Sequence, residues 1–192
     1  MVHQPIEDPE DLQGLNIRIG GLGGAILGKL GANARSLPAS EISTSLETGR
    51  LDATELSFPL VDELLGFDKV AKHYSFPGWH QPAGFIEFYM NNDKWDALTD
   101  DQRTAIEVSC SDASLDAMGI AAGAQGPILE EFRANGVEVK CFPDSVLDAL
   151  RAAADELYAE KSAEDPMFKR VIESYHAFAA SYNEYQTLSS LN

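Results

Sequence analysis

Hydrophobic and polar positions change their period several times along this chain. Leu15, Ile17 and Ile19 alternate, which predicts a strand over 15–19. Four glycines follow within five residues, Gly20-Gly21-Leu22-Gly23-Gly24, and an apolar run of helical spacing continues over 25–30. Just upstream, Asp8-Pro9 has the form of an N-cap with proline at the first helical position, and Gly14 ends that turn. The spacing predicts a short helix over 40–48, stopped at Gly49, and a short strand over 51–55. Leu60, Leu64 and Phe67 share helical spacing within 58–72. Phe76-Pro77-Gly78-Trp79 is a turn, and FIEFYMN at 85–91 alternates as a strand does. Thr99-Asp100-Asp101-Gln102 is a capping box that opens a long helix, with a break or kink expected at Gly126-Pro127 and an end near Asn135-Gly136. A strand is expected over 137–141. Two amphipathic helices close the chain. Val146, Leu147, Leu150, Ala154 and Leu157 share a face of the first. Phe168, Val171, Ile172, Tyr175, Phe178 and Tyr182 share a face of the second, which Asp165-Pro166 caps. Strands alternate with helices, so the fold class is α/β. The few visible strands would make a thin sheet, which implies that strands are missing from the chain.

Composition narrows the partners. The 192 residues are 44% apolar, ample for a packed core, and carry a net charge of −17. Nothing in that balance serves to displace counterions from a polyphosphate, so a nucleic-acid partner is excluded. The apolar runs fall well short of the roughly 20 residues of a bilayer span, so the chain is not membrane-embedded. MVHQPIEDPED is polar and acidic and shows no signal-peptide pattern. Cys110 and Cys141 lack metal-type spacing. They read as two buried, unpaired thiols, with a disulfide as the alternative.

Candidate chemistry centres on the glycine loop. Gly23-x-x-x-x-Gly28-Lys29 has P-loop spacing, but Leu30 stands where a metal-ligating hydroxyl is required, and no apolar strand ends in a Walker B type aspartate. The dinucleotide fingerprint fails at Ile26. His3, His73, His80 and His176 sit in no motif with Ser or Cys; His73 and His80 flank a turn and read as partly exposed loop groups. Arg18 differs. It lies in a strand between two isoleucines that face the other way, just ahead of a loop that backbone or ligand can approach closely. That is a suitable place to hold a carboxylate with two parallel hydrogen bonds, although a structural ion pair with one of the acidic residues is equally open on residue chemistry. Glu55 ends the second strand, and ligands of open α/β sheets gather at such carboxyl ends. An acid beside an anionic ligand requires a metal ion or a proton between them. Trp79 and Gln81 offer an apolar wall and an amide, or core packing and a solvated turn residue.

PEDLQGLNIRIGGLGG, the segment ending ETGRLDATE, LLGFDKVAKHYSFPGWHQP, WDALTDDQ and GVEVKCFPDSVLDALRAAADEL together resemble the solute-binding subunit of TRAP (tripartite ATP-independent periplasmic) transporters, in the branch that takes 2-oxo acids and related small carboxylates. The resemblance implies part of a two-lobed, type II-like periplasmic solute-binding fold with long C-terminal helices and ligand held in the cleft between lobes. It implies that Arg18 clamps the ligand carboxylate, and that Glu55 and Leu56 hold a Na⁺ or Ca²⁺ ion bridging to the ligand. Trp79 and Gln81 complete the expected site. The family's tryptophan after the acid is replaced by Leu56, so an aromatic wall is lost. The resemblance further implies a periplasmic location, TRAP membrane permease subunits as partners, and no enzymatic activity. The expected division is 8–78 as a second-lobe segment carrying the arginine, 79–113 as a segment of a mostly absent first lobe, 114–145 as a helix and strand returning to the second lobe, and 146–192 as C-terminal helices. The chain then reads as a fragment expected to bind weakly and to self-associate. The alternatives are an enzyme acting on a small 2-oxo acid and a truncated remnant that binds nothing.

Overall fold

A computed structural model describes residues 1–81, 84 and 86–189. The chain opens with a 3₁₀ turn, Pro9–Leu12, where Asp11 Oδ2 accepts from the backbone N–H groups of Glu7 and Asp8 at 2.8 and 3.0 Å. Then follow β1 (Asn16–Arg18), α1 (Gly21–Lys29), β2 (Asn33–Arg35), α2 (Ala39–Glu47), β3 (Ala53–Thr54), α3 (Pro59–Leu64), α4 (Phe67–Val70), β4 (His73–Phe76), α5 (Asn92–Asp96), α6 (Asp100–Ala134), β5 (Glu138–Cys141), α7 (Asp144–Glu164) and α8 (Pro166–Ser189). The α/β class and the long C-terminal helices agree with expectation.

Two parallel groups of strands, β2-β1-β3 and β4-β5, make up the sheet. Residues 1–3 join them. Val2 pairs antiparallel with Ala53 on one side and with His73 on the other. The Val2 N–H donates to the His73 carbonyl at 3.0 Å, and the Thr54 N–H donates to the Met1 carbonyl at 2.8 Å. A terminus that reads as polar and acidic thus supplies the middle of the sheet through one apolar residue. The Met1 amino group donates to the Thr54 carbonyl at 2.9 Å, and burial lowers its pKa. Nearby, Tyr74 donates its hydroxyl proton to Asp62 Oδ2 at 2.7 Å, and burial raises the pKa of both groups.

Three apolar clusters hold the layers together. Ile17 and Ile19 pack with Ile26 and Leu27 of α1 and with Val146, Leu150 and Leu157 of α7. Ile42, Leu46, Leu51 and Phe67 form a second cluster. Tyr74, Ile128, Phe132 and Val137 form a third, which ties the C-terminal part of α6 to β4 and β5.

Several expectations are corrected. The helix expected over 58–72 is two helices, α3 and α4, separated at Gly66, whose φ of +70° lies in the left-handed region that favours glycine. Strands β2 and β4 lie where none was expected. Of the strand expected over 85–91, Phe85 lies outside the described residues. The rest, 86–91, forms no strand: among the described residues no strand pairs with it, and Ile86 and Tyr89 are exposed. No break occurs at Gly126-Pro127: α6 runs through Pro127. Gly123, Gly126 and Pro127 are all on its exposed side, so water is available to the carbonyl that proline leaves without a partner. Cys110 and Cys141 are unpaired but exposed, not buried, because α6 and β5 turn those positions outward. The expected apolar face of α8 also stays in solvent, with Val171, Tyr175, Phe178 and Tyr182 exposed.

Candidate functional site

Parallel strands β1 and β3 end side by side, with Arg18 in register with Thr54. The carboxyl ends of both strands and the first turn of α1 therefore open on the same space, the usual ligand position of an open α/β sheet. A cavity of about 420 Å³ lies there. Arg18, Glu55, Leu56 and Gln81 line it, together with Gly20, Gly21, Leu22, Gly23, Ile26, His80 and Tyr158. Four of the five residues expected at the site are thus brought together.

Strand alternation settles the orientation of Arg18. Ile17 and Ile19 are buried in the core, and the half-buried Arg18 leaves the strand on the opposite side. Its Nε donates to the Leu37 carbonyl at 3.2 Å and its Nη1 to the Glu55 carbonyl at 2.6 Å. No described carboxylate forms an ion pair with it, which removes the structural ion-pair alternative among the described residues. The guanidinium is fixed by two neutral carbonyls and keeps its charge and its other donors for the cavity. Such a group, held in advance and uncompensated, binds carboxylate with little rotamer entropy left to lose.

Glu55 follows β3. Its backbone N–H donates to the Arg18 carbonyl at 2.9 Å, extending the β1–β3 ladder by one step. Its Oε2 stands 3.9 Å from His80 Nε2. The Glu55 carboxylate, the Leu56 carbonyl and the Gln81 side-chain oxygen are hard donors of the kind Na⁺ and Ca²⁺ take. Among the described residues no cluster of three His, Cys, Asp or Glu side chains could enclose a metal alone. A cation here would share its coordination with a ligand and water, so the donor set fits a bridging ion rather than a closed structural site.

Trp79 is corrected. It packs against the cluster around Ile17 and α7 and does not line the cavity. Its ring lies 4.9 Å from that of His80, centroid to centroid, and backs it. His80, expected as a partly exposed loop group, is only 11% exposed in its side chain and faces the cavity. Gly23 explains the fit. A Cβ there would come within 2.7 Å of His80 Cδ2 and 2.9 Å of Ile19 Cδ1. Glycine at position 23, in the first turn of α1, therefore lets His80 seat on it. Gly23→Ala is expected to push the ring aside and to cost about 1–3 kcal/mol, as overpacking does. Urea unfolding and the His80 imidazole resonances check this; an unmoved ring with unchanged stability refutes it. His80 was missed, although its place between Trp79 and Gln81 is a signal that could have found it. Tyr158 had no such signal, since only the packing of α7 on α1 brings it to the cavity.

The P-loop alternative is removed by geometry as well. Lys29 lies in the last turn of α1, away from the glycine end, and pairs with Glu156 and Glu160 of α7 at 3.0 and 2.8 Å.

The family profile described as bacterial extracellular solute-binding protein, family 7 (DctP), matches residues 2–165. A monocarboxylate 2-oxoacid-binding periplasmic protein of Nostoc sp. is 31% identical over 173 residues, 90% of this chain and 48% of that protein. A crystal structure of a TRAP periplasmic solute-binding protein from Colwellia psychrerythraea, with bound calcium and pyruvate, superposes with a TM-score of 0.90 at 32% identity, over 98% of this chain and 58% of that one. One from Pseudoalteromonas atlantica, with bound sodium and pyruvate, gives 0.90 at 31% identity, over 98% and 57%. This chain spans about half the length of the curated relatives it matches.

Proposed function

We propose, because this chain belongs to bacterial extracellular solute-binding protein family 7, that its Arg18–Glu55 cavity serves to capture a small 2-oxo monocarboxylate together with a Ca²⁺ or Na⁺ ion. The observation that carries this reading is the arrangement of Arg18: a guanidinium fixed by two carbonyls, paired with no described acid, beside the hard oxygen donors of Glu55 and Leu56. The bound calcium and sodium of the pyruvate-containing neighbours support the cation.

Each residue then has a defined task. Arg18 binds and orients the ligand carboxylate. Glu55, the Leu56 carbonyl and Gln81 hold the cation, which neutralises the repulsion between Glu55 and an anionic ligand. Leu22 and Ile26 give the apolar end of a short ligand a dry wall. Trp79 acts from behind, by supporting His80. Residues 8–78 and 114–145 form the ligand-bearing lobe in this reading, 79–113 reach toward the opposite lobe, and 146–192 supply Tyr158 and the C-terminal helices. The location is periplasmic and the ligand passes unchanged to a membrane permease. No described helix is long and apolar enough to cross a membrane.

Titration of the 192-residue chain with potassium pyruvate in sodium-free buffer, followed by ligand-observed NMR with and without millimolar calcium or added sodium, tests the assignment. Weak binding that strengthens with calcium and falls on chelation is expected, because a partly open site screens its ion pairs to about 1 kcal/mol or less. Equal binding with and without calcium or added sodium rejects Glu55 and Leu56 as cation ligands. Conversion of the pyruvate during the titration favours an enzyme instead.

A further inference from the structure

His80 has a buried ring atom that no described residue satisfies. Its Nδ1 is fully enclosed and has no hydrogen-bond partner among the described residues. Its Nε2 faces the cavity, 3.9 Å from Glu55 Oε2, beyond hydrogen-bonding distance. The ring cannot escape this position easily. Trp79 lies behind it, and Gly23 beneath it leaves no room for even a Cβ. A neutral imidazole carries its proton on one nitrogen only, and Nε2, on the cavity side and toward the Glu55 carboxylate, is the one from which a donor can meet an acceptor. The ring proton therefore belongs on Nε2. The cavity then holds a fixed N–H donor, distinct from Arg18, with no acceptor supplied by the described protein.

We propose that His80 is a specificity-determining residue of this site: Nε2–H donates to the 2-oxo oxygen of the ligand while Arg18 takes the carboxylate. The inference rests on the reading of the cavity as a 2-oxo acid site and adds how that site tells a 2-oxo acid from a plain carboxylate of equal size. A ligand without an oxygen at carbon 2 leaves the His80 donor unpaired after desolvation. Sites built to hydrogen-bond a polar group reject the analogue that lacks it for this reason. Gly23 and Trp79 act through His80 and are positioning residues.

The test uses the full 192-residue chain, calcium, and two probes, pyruvate and propionate. With ¹⁵N label, the His80 Nε2 resonance is expected to shift on adding pyruvate and to stay still with propionate, while His3, His73 and His176 stay still with both. His80→Gln keeps an N–H donor near the ε position and is expected to retain pyruvate binding within about threefold. His80→Asn has no donor there and is expected to lose tenfold or more for pyruvate, about 1.4 kcal/mol, with propionate unchanged. An unmoved His80 resonance at saturating pyruvate, or equal losses for both probes in His80→Asn, overturns the assignment even if either variant folds poorly, since the wild-type resonance is read independently. Absence of pyruvate binding by the wild-type chain refutes the 2-oxo acid reading itself and this inference with it.

Discussion

Phe132→Ala is expected to destabilise the chain by about 3–5 kcal/mol, a large share of the stability of a domain this size. Phe132 is completely buried. Its ring lies 5.5 Å from that of Tyr74, and Ile128 and Val137 close around it. The substitution removes the largest α6 side chain of the cluster that joins α6 to β4 and β5. The remaining contacts cannot collapse into the space, since Tyr74 is held in place by its 2.7 Å bond to Asp62. Phe132→Leu keeps most of the volume and should cost less than about 1.5 kcal/mol. Urea unfolding of the three proteins gives the comparison. A loss under 1 kcal/mol in Phe132→Ala would show that this cluster does not bind α6 to the sheet. The second half of the sheet depends on the cluster more than the first does. Among the described residues β4 is linked to β3 through Val2, whereas β1 lies directly between β2 and β3.

That dependence on Val2 marks where sequence reasoning stops. Periodicity needs several residues before it carries a signal. Ile17, Arg18 and Ile19 alternate across a buried strand beside a glycine loop, so the position and direction of Arg18 were legible. The β2 strand is three residues long with exposed ends, and Val2 is a single apolar residue in a polar run; neither has a pattern of its own, and both exist because a neighbouring edge pairs with them. The segment at 85–91 shows the converse: its alternation reads as a strand, but among the described residues 86–91 has no edge to join. Pro127 fails as a helix breaker because it stands on the watered side of α6.

The candidate site divides in the same way. Arg18 and Glu55 were legible because strand ends collect ligands, Gln81 because it lies in a turn of unusual composition, and Leu56 only through the family resemblance. The role of Trp79 was misplaced because nothing local shows which side of a turn faces the core. Its neighbour His80 owes its place to Gly23, 57 positions away by subtraction of their numbers. No spacing rule connects the two. The glycine run was read as a loop ahead of a helix over 25–30, but α1 begins at Gly21, so the run is its first turn; glycine was expected there to admit a ligand, and at Gly23 it admits a side chain of the protein.

Replacing Arg18 is expected to have the largest effect on binding. Arg18→Ala should abolish the calcium-dependent pyruvate response of the chain. In a closed, desolvated cleft the loss of such a contact is worth roughly 2–5 kcal/mol, on the scale of truncating a buried charge pair. In the partly open cavity of the 192-residue chain, losing the whole carboxylate contact takes already weak binding below what titration resolves. Arg18→Lys should fail nearly as badly. Lysine keeps the charge, but its ammonium cannot hold the Leu37 and Glu55 carbonyls while also presenting a planar pair of donors. Both substitutions also leave those carbonyls without their donor, so thermal unfolding must be measured beside binding. A modest drop in stability, shared by Ala and Lys, belongs to the lost carbonyl bonds. Loss of pyruvate binding at a temperature where both variants remain folded belongs to the carboxylate. If either folded variant binds pyruvate as the wild type does, the guanidinium is only a brace between the β1 and β3 strand ends, and the anion must be held elsewhere in the cavity.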